Sequence, residues 1–475
     1  MRILIDLQGA QCDSRFRGIG RYSLSLALAM ARNAKGHEIW LALSAAFPQS
    51  ILDLRHAFSE HIPQERIRVF SIPQPTAEVD PANAWRARAA EIIREEFLES
   101  IQPDVIHIPS LFEGYGDDAV ASLGVCTKGY KTAVTLHDLI PLLDQESYLP
   151  NPVIRDYYFR KIESIKHAGL LLAISDSSRK EAIHALSWPE DKIVNTSEGS
   201  DAHFQVLDIT PERDKSIRLQ YGMTRKIVLY APGGFDSRKN FDGLMKAYAL
   251  LPSTIRAEYQ LVIASRLSKG SDDSRTKLYQ WRDQAGLKED ELVLTDFVPD
   301  DDLVILYNIA DLFVFPSKHE GFGLPPLEAM ACGAPTLASN TSSLPEVIGW
   351  DQALFDPHSP PDMARKMEQA LIDSAFRLSL KEHALNQVKN FSWDSSAKRA
   401  IAALEALHVK NQAASALTKN TADSEQMQSS QNGIHAIACL SRTASSPDSD
   451  LAKAAAAIAF NTSTKQNRQL LVDIT

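Results

Sequence analysis

The sequence predicts an α/β protein built from two doubly wound parallel sheets. Short apolar runs of strand length alternate with longer helical patterns along most of the chain, which is the rhythm of parallel strands joined by helices. At 475 residues the chain exceeds one ordinary domain and divides into two or three. Glycine-bearing segments follow two of the runs where a strand would hand over to a helix, the place where open α/β sheets bind ligands.

In the first half the predicted strands are Ile3–Asp6, Ile39–Leu43, Ile67–Phe70, Val105–Ile108, Ala133–Leu136 and Leu170–Ile174. In the second they are Ile227–Tyr230, Leu261–Ala264, Leu292–Leu294, Leu312–Phe315 and Pro335–Ala338. The chain turns polar around Asp201-Ala202-His203 and meets Pro211, so a boundary is expected near Phe204–Arg213. Phe391-Ser392-Trp393 opens a helical pattern running to about Leu407. After about Val409 the composition shifts to Ala, Ser, Thr, Asn and Gln and reads as a linker, within which Leu451–Phe460 can form a short helix. The expected organisation is a first domain over residues 1–204, a second over 205–390, a helix over 391–408 and a polar tail over 409–475. Arg468–Thr475 echoes Met1–Gln8, with an apolar run and an aspartate at the same offset. Two readings stand: the first strand of a following tandem module, or a chance apolar string.

Composition narrows the function classes. A formal charge of −10 argues against nucleic acid as the main partner. No stretch approaches the ~20 apolar residues of a membrane-spanning helix. The opening MRILIDLQGA enters a strand-like run at once, without a signal peptide's apolar core and cleavage site. Cys12, Cys126, Cys332 and Cys439 have no metal or disulfide rhythm, so the expected home is the reducing cytoplasm.

The most informative stretch is Phe315–Pro335, FPSKHEGFGLPPLEAMACGAP. Glu320 and Glu328 bracket a seven-residue spacer, Gly321 to Leu327, that holds a Gly-Phe-Gly turn and then Pro325-Pro326. Proline suits the first helical position, because its missing N–H would be unpaired there anyway. A helix starting at about Pro325 would aim the free N–H groups of its first turn back at the glycine loop, which makes an anion site. An acid on either side points to hydroxyl groups held around a phosphate, as in a sugar nucleotide. A second motif, Ala231-Pro232-Gly233-Gly234-Phe235-Asp236-Ser237-Arg238-Lys239-Asn240, follows a predicted strand and opens a helix. Its glycines permit close backbone approach, and Arg238-Lys239 place two cations at the strand's end.

Together these strings resemble glycosyltransferase family 4 (GT4), retaining enzymes of the GT-B fold. The resemblance covers about residues 1–408 and is strongest over 226–349. It implies two Rossmann-like domains facing across a cleft, the first binding acceptor and the second the nucleotide-sugar donor, with a C-terminal helix crossing back onto the first. In the E-x7-E signature the resemblance puts Glu320 against the donor sugar and Glu328 on the ribose hydroxyls, with Gly321, Phe322, Gly323 and Leu324 contacting sugar and diphosphate. Arg238 and Lys239 would grip the diphosphate beside Gly233 and Gly234. Thr295-Asp296-Phe297-Val298-Pro299 matches the segment whose backbone reads the base, with Phe297 or Val298 beside it. In the first half, Gly18 and Gly20 of RGIGRYS match the glycine loop that faces donor phosphate and acceptor. His137, in TLHDL, matches a histidine that touches the transferred sugar, either hydrogen-bonding a hydroxyl or helping to neutralise charge near the anomeric carbon, with Asp138 orienting it. Ala264-Ser265-Arg266 departs from the pattern, since many relatives carry glycine after that strand.

No metal site is read from the sequence. Asp117-Asp118 and Asp300–Asp302 look like solvated caps or turns. GT-B enzymes generally use cationic side chains in place of a metal, so no cofactor is expected. The pattern from IDLQGAQ through RGIGRYS to TLHDLIPL looks most like bacterial mannosyltransferases of O-antigen or exopolysaccharide assembly. That resemblance implies a hexosyltransferase using GDP-mannose on a glycan or lipid-linked acceptor. The alternatives are a non-catalytic nucleotide-sugar-binding partner of another transferase, or another GT-B enzyme such as a nucleotide-sugar epimerase. The pattern Ile154–Ile165, with Tyr157, Tyr158, Arg155, Arg160 and Lys161, fits either a helix resting on the inner face of the cytoplasmic membrane beside other glycan-assembly enzymes or, more commonly, one packed on the sheet.

Overall fold

The computed structural model describes residues 1–265, 274–418 and 448–462. Arg266 and the echo at Arg468–Thr475 lie outside the described residues. The chain forms two compact units. The first comprises Met1–Ile174, Arg179–Thr196 and the chain from Trp393 onward; the second comprises Ser175–Ser178 and Ser197–Ser392.

The first unit is built on seven strands: β1 (Arg2–Asp6), β2 (Glu38–Ser44), β3 (Ile67–Phe70), β4 (Val105–Ile108), β5 (Thr132–Leu136), β6 (Leu170–Ala173) and β7 (Ile193–Asn195). They run in the order β3-β2-β1-β4-β5-β6-β7, and every pairing is parallel. Six were expected and β7 was not, because an edge strand as short as Ile193–Asn195 leaves too little periodicity to read. The inner strands read as continuous apolar runs because helices cover both faces. From β1 the connections first run toward β3, then return to start β4 on its other side, so β1 and β4 flank the point where the winding reverses.

A buried ion pair braces that point. Arg94, on the helix Ala84–Ser100, is completely buried and sends Nε to Asp6 Oδ2 at 2.8 Å and Nη1 to the Ser122 carbonyl at 3.0 Å. Gln8 donates to both Asp6 oxygens and exchanges hydrogen bonds with Val120, through Nε2 to its carbonyl at 2.7 Å and from its N–H at 3.0 Å. The next residue, Glu95, accepts the N–H groups of Val125, Cys126 and Thr127. One helix thus ties down the loops that follow β1 and β4.

The helix Trp393–Thr418 returns to the first unit and packs along Gly18–Arg32, as the expected crossover does. Asp394 accepts from Arg32 at 2.9 Å, Glu405 pairs with His37 at 2.7 Å, and Arg399 donates to the Thr196 carbonyl at 3.0 Å. It runs past Val409, where a linker was expected, to Thr418. Further on, Asp448–Thr462 is helical and packs on Ala84–Ser100: Ala454 and Ala457 meet Trp85, Ala89, Ile92 and Ile93, and Arg86 holds both oxygens of Asp450 at 2.8 Å. The packing uses alanine rather than large apolar side chains, so composition alone reads this stretch as solvated.

The helix Pro152–Ile165 is the ordinary packed helix of the two readings. Tyr157, Tyr158, Lys161 and Ile162 are buried, and Arg160 is paired with Glu78 and Glu91 rather than presented to a membrane. Among the described residues, no helix is long and apolar enough to cross a membrane.

The second unit carries β8 (Lys226–Tyr230), β9 (Tyr259–Ile263), β10 (Leu292–Leu294), β11 (Leu312–Phe315), β12 (Thr336–Ser339) and β13 (Leu354–Phe355). Their order is β10-β9-β8-β11-β12-β13, again all parallel. β13 was unread for the same reason as β7. Here the winding reverses between β8 and β11, and the loops that leave those two strands carry both motifs.

Substituting Arg94→Leu would leave the Asp6 carboxylate buried without its cation, and a loss of about 3–5 kcal/mol is expected. Urea-induced unfolding measures it; a variant as stable as the parent would show that the pair is dispensable.

Candidate active site

The loops after β8 and β11 meet around one carboxylate. Asp236 caps a short 3-10 turn, Ser237–Lys239, by accepting the Arg238 N–H at 3.0 Å. Asn240 then takes a left-handed conformation (φ 59°), and its Nδ2 donates to the carbonyls of Pro316 and Pro357 at 3.1 and 2.8 Å. The backbones join as well, through Lys318 N–H to the Arg238 carbonyl at 2.8 Å. This scaffold sets Lys239 Nζ 2.6 Å from Glu320 Oε1 and Arg238 Nη1 2.5 Å from Glu320 Oε2. Arg238 also donates to the His319 carbonyl at 2.8 Å.

Burial by itself would raise the Glu320 carboxyl, but Lys239 and Arg238 beside it, with the Lys239 hydrogen bond, hold it down at about 2. The three side chains carry one net positive charge, which the Asp236 carboxylate faces 3.8 Å from Arg238 Nε. Lys239 is buried under the carboxylate and over the Phe315 ring, whereas Arg238 keeps part of its guanidinium at the surface. The two expected phosphate grips thus play unequal parts: Lys239 neutralises Glu320, and Arg238 is the more accessible cation.

The glycine turn is held by its carbonyls. Ser343 Oγ donates to the carbonyls of Glu320 and Phe322 at 2.9 and 2.5 Å, and Ser175 and Ser178 both donate to that of Gly321, at 2.6 and 3.1 Å. Among the described residues, the N–H groups of Gly321, Phe322 and Gly323 donate no hydrogen bond. Gly323 has φ 122°, and a Cβ there would lie 2.9 Å from Leu344 Cδ2, so the turn requires glycine. The helix Leu324–Ala331 begins immediately, with Pro325 in its first turn. Phe322 packs edge-on against Phe391 and is buried. Gly233 and Gly234 border open space, since a Cβ at either would meet nothing within 4 Å.

Glu328 lies on the same helix and receives Tyr307 Oη at 3.4 Å. The sequence reading missed its neighbour Glu198, only 3% exposed, whose carboxyl is pushed up to about 8 by burial and then by the charge of Glu328. Nothing in TSEGSD marks this residue beforehand; its significance comes from the fold bringing two distant carboxyls together. In the base-reading segment the side chains diverge: Val298 belongs to the core, leaving only its backbone for a ligand, while Phe297 is 63% exposed. Ser265, at the departure from the family pattern, is buried with no partner for its hydroxyl among the described residues.

In the first unit the structure separates the two glycines. Gly18 borders open space, but a Cβ on Gly20 would sit 2.2 Å from the Ser14 carbonyl. Gly20 therefore lets the helix Gly18–Arg32 pack on the 3-10 turn Asp13–Phe16, and the chain itself fills its space. His137 follows β5 and points Nε2 at the Pro109 carbonyl, 2.9 Å away. A carbonyl only accepts, so Nε2 carries the proton. Burial drives the imidazole down to about 4, which makes it neutral at ordinary pH.

Cys12, Glu113 and Asp117 bring three ligand-type atoms within 4.8 Å of one another. Their oxygens are already used: Glu113 accepts from Ser14, Ser110 and Cys12, and Asp117 from the N–H groups of Asp13 and Ala119. Burial pushes the Cys12 thiol up, so it stays protonated. The group supports the 13–16 turn.

Two family descriptions match the chain: "Glycosyltransferase Family 4" over residues 16–202 and "Glycosyl transferases group 1" over residues 214–387. The Escherichia coli "O-antigen chain mannosyltransferase B" is 30% identical over 391 residues, 82% of this chain and 96% of that protein. The chain belongs to the GT4-type glycosyltransferases. The E. coli "Serotype-specific mannosyltransferase WbdA" is 37% identical over the whole chain but only 55% of its own length is covered. This chain spans about half the length of such relatives. Anabaena HepE, solved in complex with UDP and glucose, superposes with a TM-score of 0.60 at 18% identity, over 86% of this chain and all of that one. The fold is GT-B.

For this GT4 enzyme, the state of Glu320 makes a pH prediction. Its carboxyl titrates at 4.5 when unperturbed and at about 2 in the fold. A depressed folded value contributes stability that is complete above about 4.5 and is lost as pH falls through about 2. Glu320→Gln should be less stable than the parent near neutrality, with the gap closing across that acid range in unfolding titrations. A gap independent of pH would contradict the ion-pair assignment.

Proposed function

We propose that this chain is a retaining, metal-independent hexosyltransferase that moves mannose from GDP-mannose onto a growing cell-surface glycan or lipid-linked acceptor. The observation that carries the reading is the Glu320 carboxylate clamped by Lys239 and Arg238 where the loops after β8 and β11 meet. The mannosyltransferase names of the E. coli relatives support the sugar, and the UDP and glucose in HepE support a nucleotide-sugar site.

In this reading the diphosphate sits against the undonated N–H groups of Gly321–Gly323 and the N-terminus of Leu324–Ala331. Arg238, the more accessible of the two cations, grips the phosphate oxygens beside Glu320. As the sugar–phosphate bond breaks, negative charge grows on the diphosphate, so a cation already in place stabilises the transition state more than the ground state. Lys239 keeps Glu320 ionised, and the carboxylate accepts hydrogen bonds from sugar hydroxyls. Glu328 receives the ribose hydroxyls, and His137 contacts the transferred sugar. A carboxylate held near 2 by two cations is a weak nucleophile. That favours same-face attack by the acceptor on an ion-pair-like transition state over a covalent intermediate at Glu320.

Purified protein offered a panel of nucleotide sugars should release GDP from GDP-mannose when acceptor glycan is present. Arg238→Ala should cut kcat by on the order of 10²–10³ while the protein stays folded. Donor binding without turnover on any acceptor would identify a non-catalytic partner. Activity should also survive EDTA; a loss restored by added divalent metal would refute metal independence.

A further inference from the structure

His137 has a neighbour whose place calls for explanation. Tyr22, completely buried in the helix Gly18–Arg32, stands edge-on between two rings. Its centroid lies 4.9 Å from that of His137, with the planes at 78°, and 5.6 Å from that of Trp393, with the planes at 70°. Trp393 is the first residue of the returning helix. Edge-to-face contacts at these separations are the favourable arrangement for aromatic rings. The Tyr22 hydroxyl is itself anchored, 3.4 Å from Thr135 Oγ1, which lies 2.9 Å from Nε2 of the buried His107. Thr135 stands two residues before His137 on β5, so the same tyrosine grips the strand through oxygen and the imidazole through its ring.

We propose that Tyr22 is a positioning residue for His137, wedged between the imidazole and the start of the returning helix so that Nε2–H stays on the Pro109 carbonyl. The proposal rests on the functional reading above for what His137 touches. The ring itself is constrained from two sides. The Pro109 carbonyl fixes which nitrogen bears the proton, and Tyr22 limits rotation of the ring away from that bond. Neither constraint is local in sequence: Tyr22 comes from the first helix, Pro109 from the loop after β4, and Trp393 from the end of the chain's second crossing. A neutral imidazole with one fixed tautomer accepts at one nitrogen and donates at the other. A flipped ring would exchange donor and acceptor, and a displaced one would lose the Pro109 bond. The returning helix thereby bears on His137 through Trp393 and Tyr22.

The test uses the full chain labelled with ¹⁵N-histidine, with the His137 signal assigned by its loss in His137→Gln. The parent should show a single Nε2–H tautomer. Tyr22→Leu should loosen it to a tautomer mixture and lower kcat by on the order of tenfold to a hundredfold, with a smaller change in donor KM. Tyr22→Phe, which keeps both ring contacts, should restore the tautomer and most of kcat. A folded Tyr22→Leu protein with the parent's tautomer and kcat would overturn the proposal, as would loss of kcat with the tautomer intact. Should Tyr22→Leu fail to fold, Trp393→Leu decides: a shifted imidazole signal with reduced kcat supports the wedge, and an unchanged signal and kcat reject it. A parent that consumes no nucleotide sugar would refute the functional reading, while the ¹⁵N signals still report whether Tyr22 holds His137.

Discussion

The second unit is organised around one buried carboxylate and its two cations. An unpaired Glu320 in that position would carry a large desolvation cost. Lys239 at 2.6 Å and Arg238 at 2.5 Å compensate it, and in doing so they lock the loop after β8 to the loop after β11. Those strands are neighbours where the winding of the sheet reverses, so the lock lies where an α/β sheet leaves room for a ligand. Backbone bonds and the Asn240 amide repeat the connection, so the charges are placed by scaffold as well as by mutual attraction.

Such a cluster suits a reaction in which charge moves onto a departing phosphate. Its cations are in place before a ligand arrives, and its groups need little rearrangement at the moment of bond breaking. The serine hydroxyls of Ser175, Ser178 and Ser343 serve the same end by taking the carbonyls of the glycine turn. That orientation leaves the N–H groups of the turn unconsumed among the described residues. The division between Lys239 and Arg238 also explains why two adjacent cations are not redundant. Lys239 lies buried under the carboxylate, and Arg238 keeps part of its guanidinium at the surface.

The first unit is built on different electrostatics. Its buried charge, Asp6 with Arg94, is fully engaged in holding loops, and its histidines His107 and His137 are neutral. The Cys12–Glu113–Asp117 group follows the same rule, each acid occupied in fixing the turn before Gly18.

Eleven of the thirteen strands were legible because a strand buried on both faces must be a continuous apolar run, and that pattern survives without any tertiary information. The E-x7-E and Gly-Gly…Arg-Lys strings were legible because a glycine turn, a proline-started helix and adjacent cations are local chemistry. The sequence by itself thus determined the fold class, the family and the two loops that meet at the site. Tertiary structure alone decided that Glu320 pairs with both cations, that Gly20 is a packing residue, that Val298 is core, that Glu198 lies near Glu328, and that Tyr22 meets His137 edge-on. Those facts depend on contacts between residues up to about a hundred or more positions apart in the chain, as with Glu198 and Glu328 or Tyr22 and His137, and no local pattern of residue types encodes which distant groups will meet. The helix Asp448–Thr462 makes the same point for folding, since alanines that look solvated by composition become core only when Trp85 and Ile92 are brought against them.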